Sequence, residues 1–449
     1  MLQGSRGEFS SRIGFVLAAT GSAVGLGNVW GFPTNAAGNG GGAFVAIYLI
    51  LAFVLAYPAL MAELVIGRHT RANIYSALEG LASNAPTRLA ARLTGGYAVL
   101  VASAILGFYT LVAGWVLAQL CAAIARVLGW PSMSGWFATA SLGRDLASAA
   151  LFAVLTVLVV SGGVRNGIER WSTRLMPALL ILLLALIGYV LTQPGALAGL
   201  RLYLVPDIAR ILDPALLVSA LGQAFFSLSL GVGTMLVYAS YLDSKENLPV
   251  VGAMITGIDT LVAFLAGLLV IPAMFVAQRQ GIEIHAGGEL IAGPDLIFQV
   301  LPALFGSMAQ WGDLVALAFF ALLAIAALTS SISMLEVPVA LAVEKTPLAR
   351  GPASWLIGIA VFAATALIAC FFDPLFGLVV TVTTEYSQPL VGIALCLFAG
   401  WAIHRDRLLA EIRASQGEAA GLFWKIWPPY VRIVCPLLIA ATFLQGLIH

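Results

Sequence analysis

Asp259 stands in GIDTLVAFLAG and Glu63 in LMAELVIG, two strongly apolar runs. An ionisable group at such a place is costly and is functional by default. The residues on both sides of Asp259 are apolar, which argues against a boundary carboxylate reaching for water. For Glu63 a hydrogen-bonded structural role and a functional one stand equal. A second chemistry lies in TGSAVGLGNVWGFPTNAAGNGGGAF, residues 20–44, where eight glycines fall between Gly21 and Gly42 and Asn28 and Pro33 interrupt the apolar pattern. A helix written this way breaks. A bare carbonyl or amide in lipid costs several kcal/mol, so a break persists only where something satisfies those groups. Freed carbonyls suit a hard cation such as sodium, and freed amides at the start of a half-helix suit a carboxylate. The small residues from Gly21 to Gly27 let both come close. GQAFFSLSLGVGT, residues 222–234, repeats the feature in the second half of the chain. Paired interrupted spans point to a binding site near the membrane midplane. The alternative, that the glycines serve tight helix packing, fits one GxxxG but not this cluster. The hydroxyls of Thr329 and Ser330, taken alone, read as bonding back to their own helix.

The elements that must hold these groups follow from composition. Of 449 residues, 61% are hydrophobic and 10% charged, where a soluble domain carries about 25% charge. The chain therefore reads as an all-α polytopic membrane protein, one domain over 1–449. At roughly 20 residues per span, the apolar runs predict about eleven helices. They lie near 13–36, 41–66, 97–127, 148–162, 174–193, 214–240, 249–278, 310–341, 353–371, 375–402 and 431–448. The runs are too long and too uniform for a β-barrel. If 13–193 and 214–402 are two repeats, 431–448 is an appendage. The long, half-apolar stretch 279–309 predicts short helices dipping into a vestibule. With the N-terminus cytoplasmic, seventeen Lys and Arg fall on the inner side and five on the outer, a firm positive-inside signal. This places the protein in the cell (inner) membrane with the C-terminus outside. The polar start MLQGSRGEFSSR gives no sign of a cleaved signal peptide. The four cysteines read as packing residues. The four histidines are scattered, which argues against a metal or redox enzyme, and two local polar breaks do not make a channel. Nothing points to nucleic acid; oligomeric state is not readable.

These motifs resemble those of the neurotransmitter:sodium symporter family, above all its eleven-helix bacterial amino-acid transporters. The matching residues are GSAVGLGNVWGFP and NGGGAF at 21–33 and 39–44, ELVIGR at 63–68, GQAFFSLSLG at 222–231, YASYL at 238–242 and LTSSISMLE at 328–336. They run in order along nearly the whole chain. The resemblance implies a 5+5 inverted repeat with broken first and sixth helices, alternating access, and sodium at two sites. The first would use Ala23, Asn28, Ser227 and Asp259; the second Gly21, Val24, Ala326, Thr329 and Ser330. Both sets are oxygen-only, as a hard cation requires. Many members have asparagine at the position of Asp259, with chloride or a carboxylate one turn later. Here that later residue is Ala263, so Asp259 is expected to supply the charge itself, without chloride. Monoamine transporters have aspartate where Gly25 stands. Glycine leaves room for a carboxylate brought by an amino-acid substrate, bonded by Tyr109. Ser22, Ala23, Leu26 and Gly27 belong to the same cradle, with Phe226 as lid. The side-chain pocket would be Ile105, Phe226, Ser229, Val232 and Met334, with Ser227 and Ser330 at its floor. It carries no fixed charge, which favours neutral hydrophobic and aromatic L-amino acids.

Two gates follow from the resemblance. Most relatives have an arginine at Gly31 and an aspartate near Val380 or Thr381; both are missing, so Trp30, Phe226 and Tyr109 are expected to close the outer path. At the inner end Arg6 and Glu344 match the family's ion pair, with Phe9 and Tyr241 as aromatic partners. Gly167 and Pro177 match a segment that unwinds to admit water. A proton-coupled amino-acid carrier is the nearest rival, followed by a substrate-binding sensor without turnover.

Overall fold

In a computed structural model, residues 7–211, 213–243, 245–286, 289–291, 295–308, 311–403 and 423–448 are described. Every one of the eleven expected stretches contains helix. Gly42–Thr70, Ala85–Val127, Leu142–Ser161, Val164–Leu191, Leu248–Arg279, Gly312–Lys345 and Arg350–Cys370 are each long and apolar enough to cross a membrane. The third expected helix starts at Ala85 rather than near 97. Asn84 and Thr87 cap it reciprocally and Pro86 occupies its first turn, so the helix continues through the charged turn at Arg88 and Arg92.

The first expected helix is two. Ser11 caps Arg12–Ala23 by accepting from the Gly14 N–H, and the helix stops at Val24, whose backbone is extended. It resumes as Gly27–Gly38, bent by 56°. The sixth breaks in the same manner. Asp213 and Pro214 start Pro214–Ser227, and the chain re-forms a helix at Thr234–Ala239. Between them Ser229, Gly231 and Gly233 all have positive φ, 51°, 77° and 82°. Glycine adopts this region freely, but serine does so rarely, and such residues gather at functional sites.

The two breaks sit inside a scaffold. Arg12–Ala23 packs on Leu248–Arg279, Gly312–Lys345 and the helix beginning at Arg170. The stretch 279–309, expected to hold short helices, has one apolar helix among its described residues, Leu296–Ser307. It also holds a two-residue antiparallel pair, His285–Ala286 with Glu289–Leu290, which the sequence did not announce. The four cysteines are free.

Candidate substrate and ion site

Four elements bring a buried polar cluster together. Asn28, in the first turn after the first break, donates from Nδ2 to Asp259 Oδ1 and to Ser227 Oγ, both at 2.8 Å. Ser227, the last helical residue before the second break, donates to Asp259 Oδ2 at 2.7 Å. The Tyr48 hydroxyl donates to Ser227 Oγ at 3.1 Å. Asp259 is 1% exposed, and among the described residues no basic side chain pairs with it. A buried carboxylate held only by neutral donors keeps an uncompensated charge. Carboxylate, hydroxyl and amide together form a hard-cation donor set, and sodium fits it. The resemblance requires the Asn28 oxygen to face this cluster, whereas its nitrogen does so here and Oδ1 accepts from the Gly25 N–H at 3.3 Å. With a cation between the groups, the turned-over amide would present oxygen.

A second oxygen cluster lies at the end of Arg12–Ala23. Ser330 Oγ stands 3.4, 3.2 and 3.3 Å from the carbonyls of Gly21, Ser22 and Val24. One hydroxyl hydrogen cannot serve three carbonyls, and these sit at the negative end of a helix dipole. The site is thus acceptor-rich and also fits a cation. Thr329 Oγ1 bonds back to the carbonyls of Ile325 and Ala326, each at 3.1 Å. Among the described residues no three His, Cys, Asp or Glu converge.

Between the clusters lies a cavity of about 300 Å³. Ala23, Gly25, Leu26, Gly27, Ile105, Tyr109, Phe226, Ser227, Ser229, Val232, Ser330 and Met334 all line it. Ser22 does not. Its hydroxyl donates to Ser333 Oγ at 2.7 Å and its carbonyl accepts from Ser229 Oγ at 3.3 Å, which puts it behind the wall. The Leu26 N–H donates to the Tyr109 hydroxyl at 3.4 Å. A Cβ on Gly25 would stand 2.5 Å from Ser330 Oγ and 3.2 Å from the Tyr109 hydroxyl, so a side chain there would have to displace Ser330. Phe226 is 40% exposed; it edges the cavity rather than filling a core.

Sequence reasoning missed Phe108 and Val112, which also line the cavity. Their signal was present, since with Ile105 and Tyr109 they complete one helix face at i, i+3, i+4 and i+7. Phe376 and Gln388 were missed as well. Gly31 and Val380 face the cavity, and a Cβ on Gly31 would meet nothing within 4 Å. The ring partner of Trp30 is Phe298, at 6.0 Å. Phe298 in turn contacts Trp115, and Trp115 contacts Phe376, each at 6.0 Å. Trp30, Phe298, Trp115 and Phe376 thus form an aromatic chain, and Trp30, Tyr109, Phe226 and Phe376 line the cavity.

At the opposite end, Arg6 lies outside the described residues. Glu344 accepts from the Asn73 N–H at 3.1 Å. The ring partners of Phe9 are Phe15 and Tyr238, at 5.2 and 5.8 Å. Tyr241 meets Phe9 through its carbonyl, which accepts from the Phe9 N–H at 3.2 Å. The Tyr241 hydroxyl donates to Glu336 Oε1 at 2.7 Å, and Arg350 pairs with the same carboxylate. The segment from Gly167 to Pro177 is helical, with a widened turn over Val164–Glu169. Glu169, the acidic residue of that segment, was not singled out. It accepts from the Ser10 N–H at 2.8 Å, Ser10 Oγ at 2.7 Å and Ser11 Oγ at 3.3 Å. A Cβ on Gly14 would fall 1.9 Å from its Oε1. The start of the first half-helix is thus latched onto the Gly167 turn. Glu63, 2% exposed, accepts from the Gly231 N–H at 2.8 Å and so holds the second break.

The model of the sodium:neurotransmitter symporter family matches residues 6–150 and 140–449. The chain is 36% identical to the "uncharacterized sodium-dependent transporter YhdH" of Bacillus subtilis, over 98% of this chain and 97% of that one. It is 32% identical to an uncharacterized sodium-dependent transporter of Haemophilus influenzae, over 98% of each. The crystal structure of MhsT in complex with L-phenylalanine superposes with a TM-score of 0.83 at 34% identity, covering 98% of this chain and all of that one. A multi-pass helical membrane protein with two broken helices and oxygen-lined clusters around a central cavity, this chain belongs to the sodium:neurotransmitter symporter family and is a sodium-dependent transporter, not an enzyme.

Proposed function

We propose that the protein carries neutral hydrophobic and aromatic L-amino acids into the cell together with sodium, at two ion sites, by alternating access and without chloride. One observation carries this reading: a buried Asp259 without a basic partner among the described residues is held by Asn28 and Ser227, and these two line the cavity that Gly25 also lines. Sodium, when bound, supplies the positive charge that both the Asp259 carboxylate and a substrate carboxylate lack. Asp259, Asn28, Ser227 and the Ala23 carbonyl would hold the first ion; Ser330, Thr329 and the carbonyls of Gly21, Val24 and Ala326 the second. The substrate carboxylate fits at Gly25 beside the Tyr109 hydroxyl, so ion and amino acid share one electrostatic well. Its side chain lies against Ile105, Val232 and Met334, under Phe226. L-Phenylalanine in MhsT is consistent with this class. Eleven spans, an inverted repeat and a cytoplasmic N-terminus complete the reading. The Phe9 end is then the inner gate, and Gly167 to Pro177 the segment that admits water.

The test is uptake of radiolabelled L-phenylalanine into vesicles containing the purified chain. An inward sodium gradient should drive accumulation. Choline in place of sodium should abolish it, and gluconate in place of chloride should leave it unchanged. Accumulation driven by a proton gradient alone would favour the proton-coupled carrier, and sodium-dependent binding without accumulation a sensor. A large loss without chloride would remove Asp259 from its role.

The Glu169 latch makes a separate prediction. Glu169→Ala removes the acceptor of three hydrogen bonds that fasten the first half-helix. Losing them biases the bundle toward an open inner end by about 1–3 kcal/mol. The sodium concentration for half-maximal phenylalanine binding should rise about tenfold, with Glu169→Gln between. Identical sodium titrations for all three proteins would contradict the latch.

A further inference from the structure

The helix Val164–Leu191 is long and apolar enough to cross a membrane, yet Arg165, Arg170 and Arg174 all fall at its start. The three side chains are exposed, and so is Trp171 among them. Among the described residues none of the three forms an ion pair, whereas Arg12, Arg71, Arg92, Arg126 and Arg350 each meet a carboxylate. The neighbouring acid, Glu169, is buried and taken by Ser10 and Ser11. The arginines share a face. Arg174 follows Arg170 by one helical turn. Arg165 precedes Arg170 by five residues, across the widened turn Val164–Glu169, where residues that far apart are neighbours. Pro177, Ile181, Leu184, Gly188 and Leu191 continue from Arg174 at steps of three and four residues, and all are exposed. On a membrane-crossing helix such a stripe faces the acyl chains. The arginines and Trp171 therefore form its headgroup-level end, the depth at which cations and indoles anchor a span. The complementary charge at that depth is an anionic headgroup, and each basic residue near the surface strengthens its binding by about fivefold.

We propose that Arg165, Arg170 and Arg174 bind the headgroup of an anionic phospholipid, and that the bound lipid keeps the segment from Gly167 to Pro177 helical and so holds the inner end shut. This rests on the reading of that segment as the one that unwinds to admit water. Arg170 and Arg174 lie inside it, and Pro177 already leaves the Thr173 carbonyl without its helical N–H. A phosphate bridging two guanidiniums needs them close. Four residues span about 6 Å along a helix but up to about 13 Å of extended chain. Unwinding therefore pulls the two arginines off their shared headgroup, and the lipid favours the wound state by the difference.

The test is hydrogen–deuterium exchange of the full chain in nanodiscs of phosphatidylcholine, with and without phosphatidylglycerol. In the unaltered protein the amides from Gly167 to Pro177 should exchange about tenfold more slowly when phosphatidylglycerol is present. The triple variant Arg165→Gln, Arg170→Gln, Arg174→Gln should exchange alike in both lipids. The corresponding triple lysine variant keeps the charge and should keep most of the slowing. Arg88→Gln removes an exposed arginine from another helix start and should keep all of it. Equal exchange of the unaltered protein in both lipids overturns the proposal. So does slowing that survives in the triple glutamine variant, or slowing lost equally in Arg88→Gln, which would make the effect one of overall surface charge. Inorganic phosphate added to phosphatidylcholine discs should change nothing; equal slowing by phosphate would make the site one for a free anion and overturn the lipid. If the triple glutamine variant does not fold, the lysine variant decides: loss of its slowing overturns. The exchange needs no substrate, so absence of sodium-driven phenylalanine uptake sinks the transport reading while leaving this result intact. A segment that exchanges in neither lipid does not open, and overturns the lipid's hold on it.

Discussion

Asp259→Asn should abolish sodium-driven uptake, and adding Ala263→Glu should restore a measurable part of it. Asparagine keeps the shape of aspartate, and its Oδ1 can still accept from Asn28 Nδ2 or Ser227 Oγ, the two donors that now hold the carboxylate. The fold should therefore survive. What disappears is the negative charge. Removing one partner from a buried ion pair costs about 3–5 kcal/mol, so sodium affinity at this cluster should fall by more than about a hundredfold. Ala263 lies one turn further along the same helix and is fully buried. A glutamate there brings a carboxylate back within reach of the same oxygens from a different Cα. Both variants should be assayed in gluconate buffer, so that no chloride can stand in for the missing charge. Full uptake by Asp259→Asn alone, or a double variant no better than the single one, would show that the charge is not what the site uses.

The breaks were legible in sequence because lipid leaves so few explanations for glycine, asparagine and proline in an apolar run. Asp259 was legible for the same reason. Twelve of the thirteen expected substrate residues line a single shared cavity, and these came from motif matches rather than from periodicity. Three things were not legible. Ser22 sits between wall residues in sequence but turns its hydroxyl to Ser333, and only the path of the broken backbone decides that. Phe298 reaches Trp30 from the short helix Leu296–Ser307 within the half-apolar stretch 279–309, whose place against the bundle no apolar period announces. Glu169 looked like one more charge at a helix start, and its burial beneath Ser10 and Ser11 depends on Gly14 allowing the close approach. Period and composition locate elements in the membrane; which side chains meet across a break depends on backbone geometry that no period encodes.

Gly25→Ala should weaken phenylalanine binding far more than the same methyl at Gly31. Its Cβ would lie 2.5 Å from Ser330 Oγ, closer than real Cβ contacts come, so either Ser330 or the first break must move. Ser330 already faces the carbonyls of Gly21, Ser22 and Val24; displacing it disorders the second oxygen cluster. The methyl also takes the corner beside the Tyr109 hydroxyl in which the substrate carboxylate fits. Ion and substrate losses thus come from one atom. Phenylalanine affinity should drop at least about a hundredfold, because overpacking of about 1–3 kcal/mol adds to a carboxylate left without its partners. Gly31→Ala is the matched control: it adds the same methyl to the same broken helix at a position where nothing lies within 4 Å, and its affinity should stay within about twofold. If both alanines behave alike, the cradle is not at Gly25. If Gly25→Ala fails while Gly31→Ala binds normally, the glycine is held by the space a substrate needs rather than by the flexibility a broken helix needs, since alanine at either position changes backbone freedom by a similar amount.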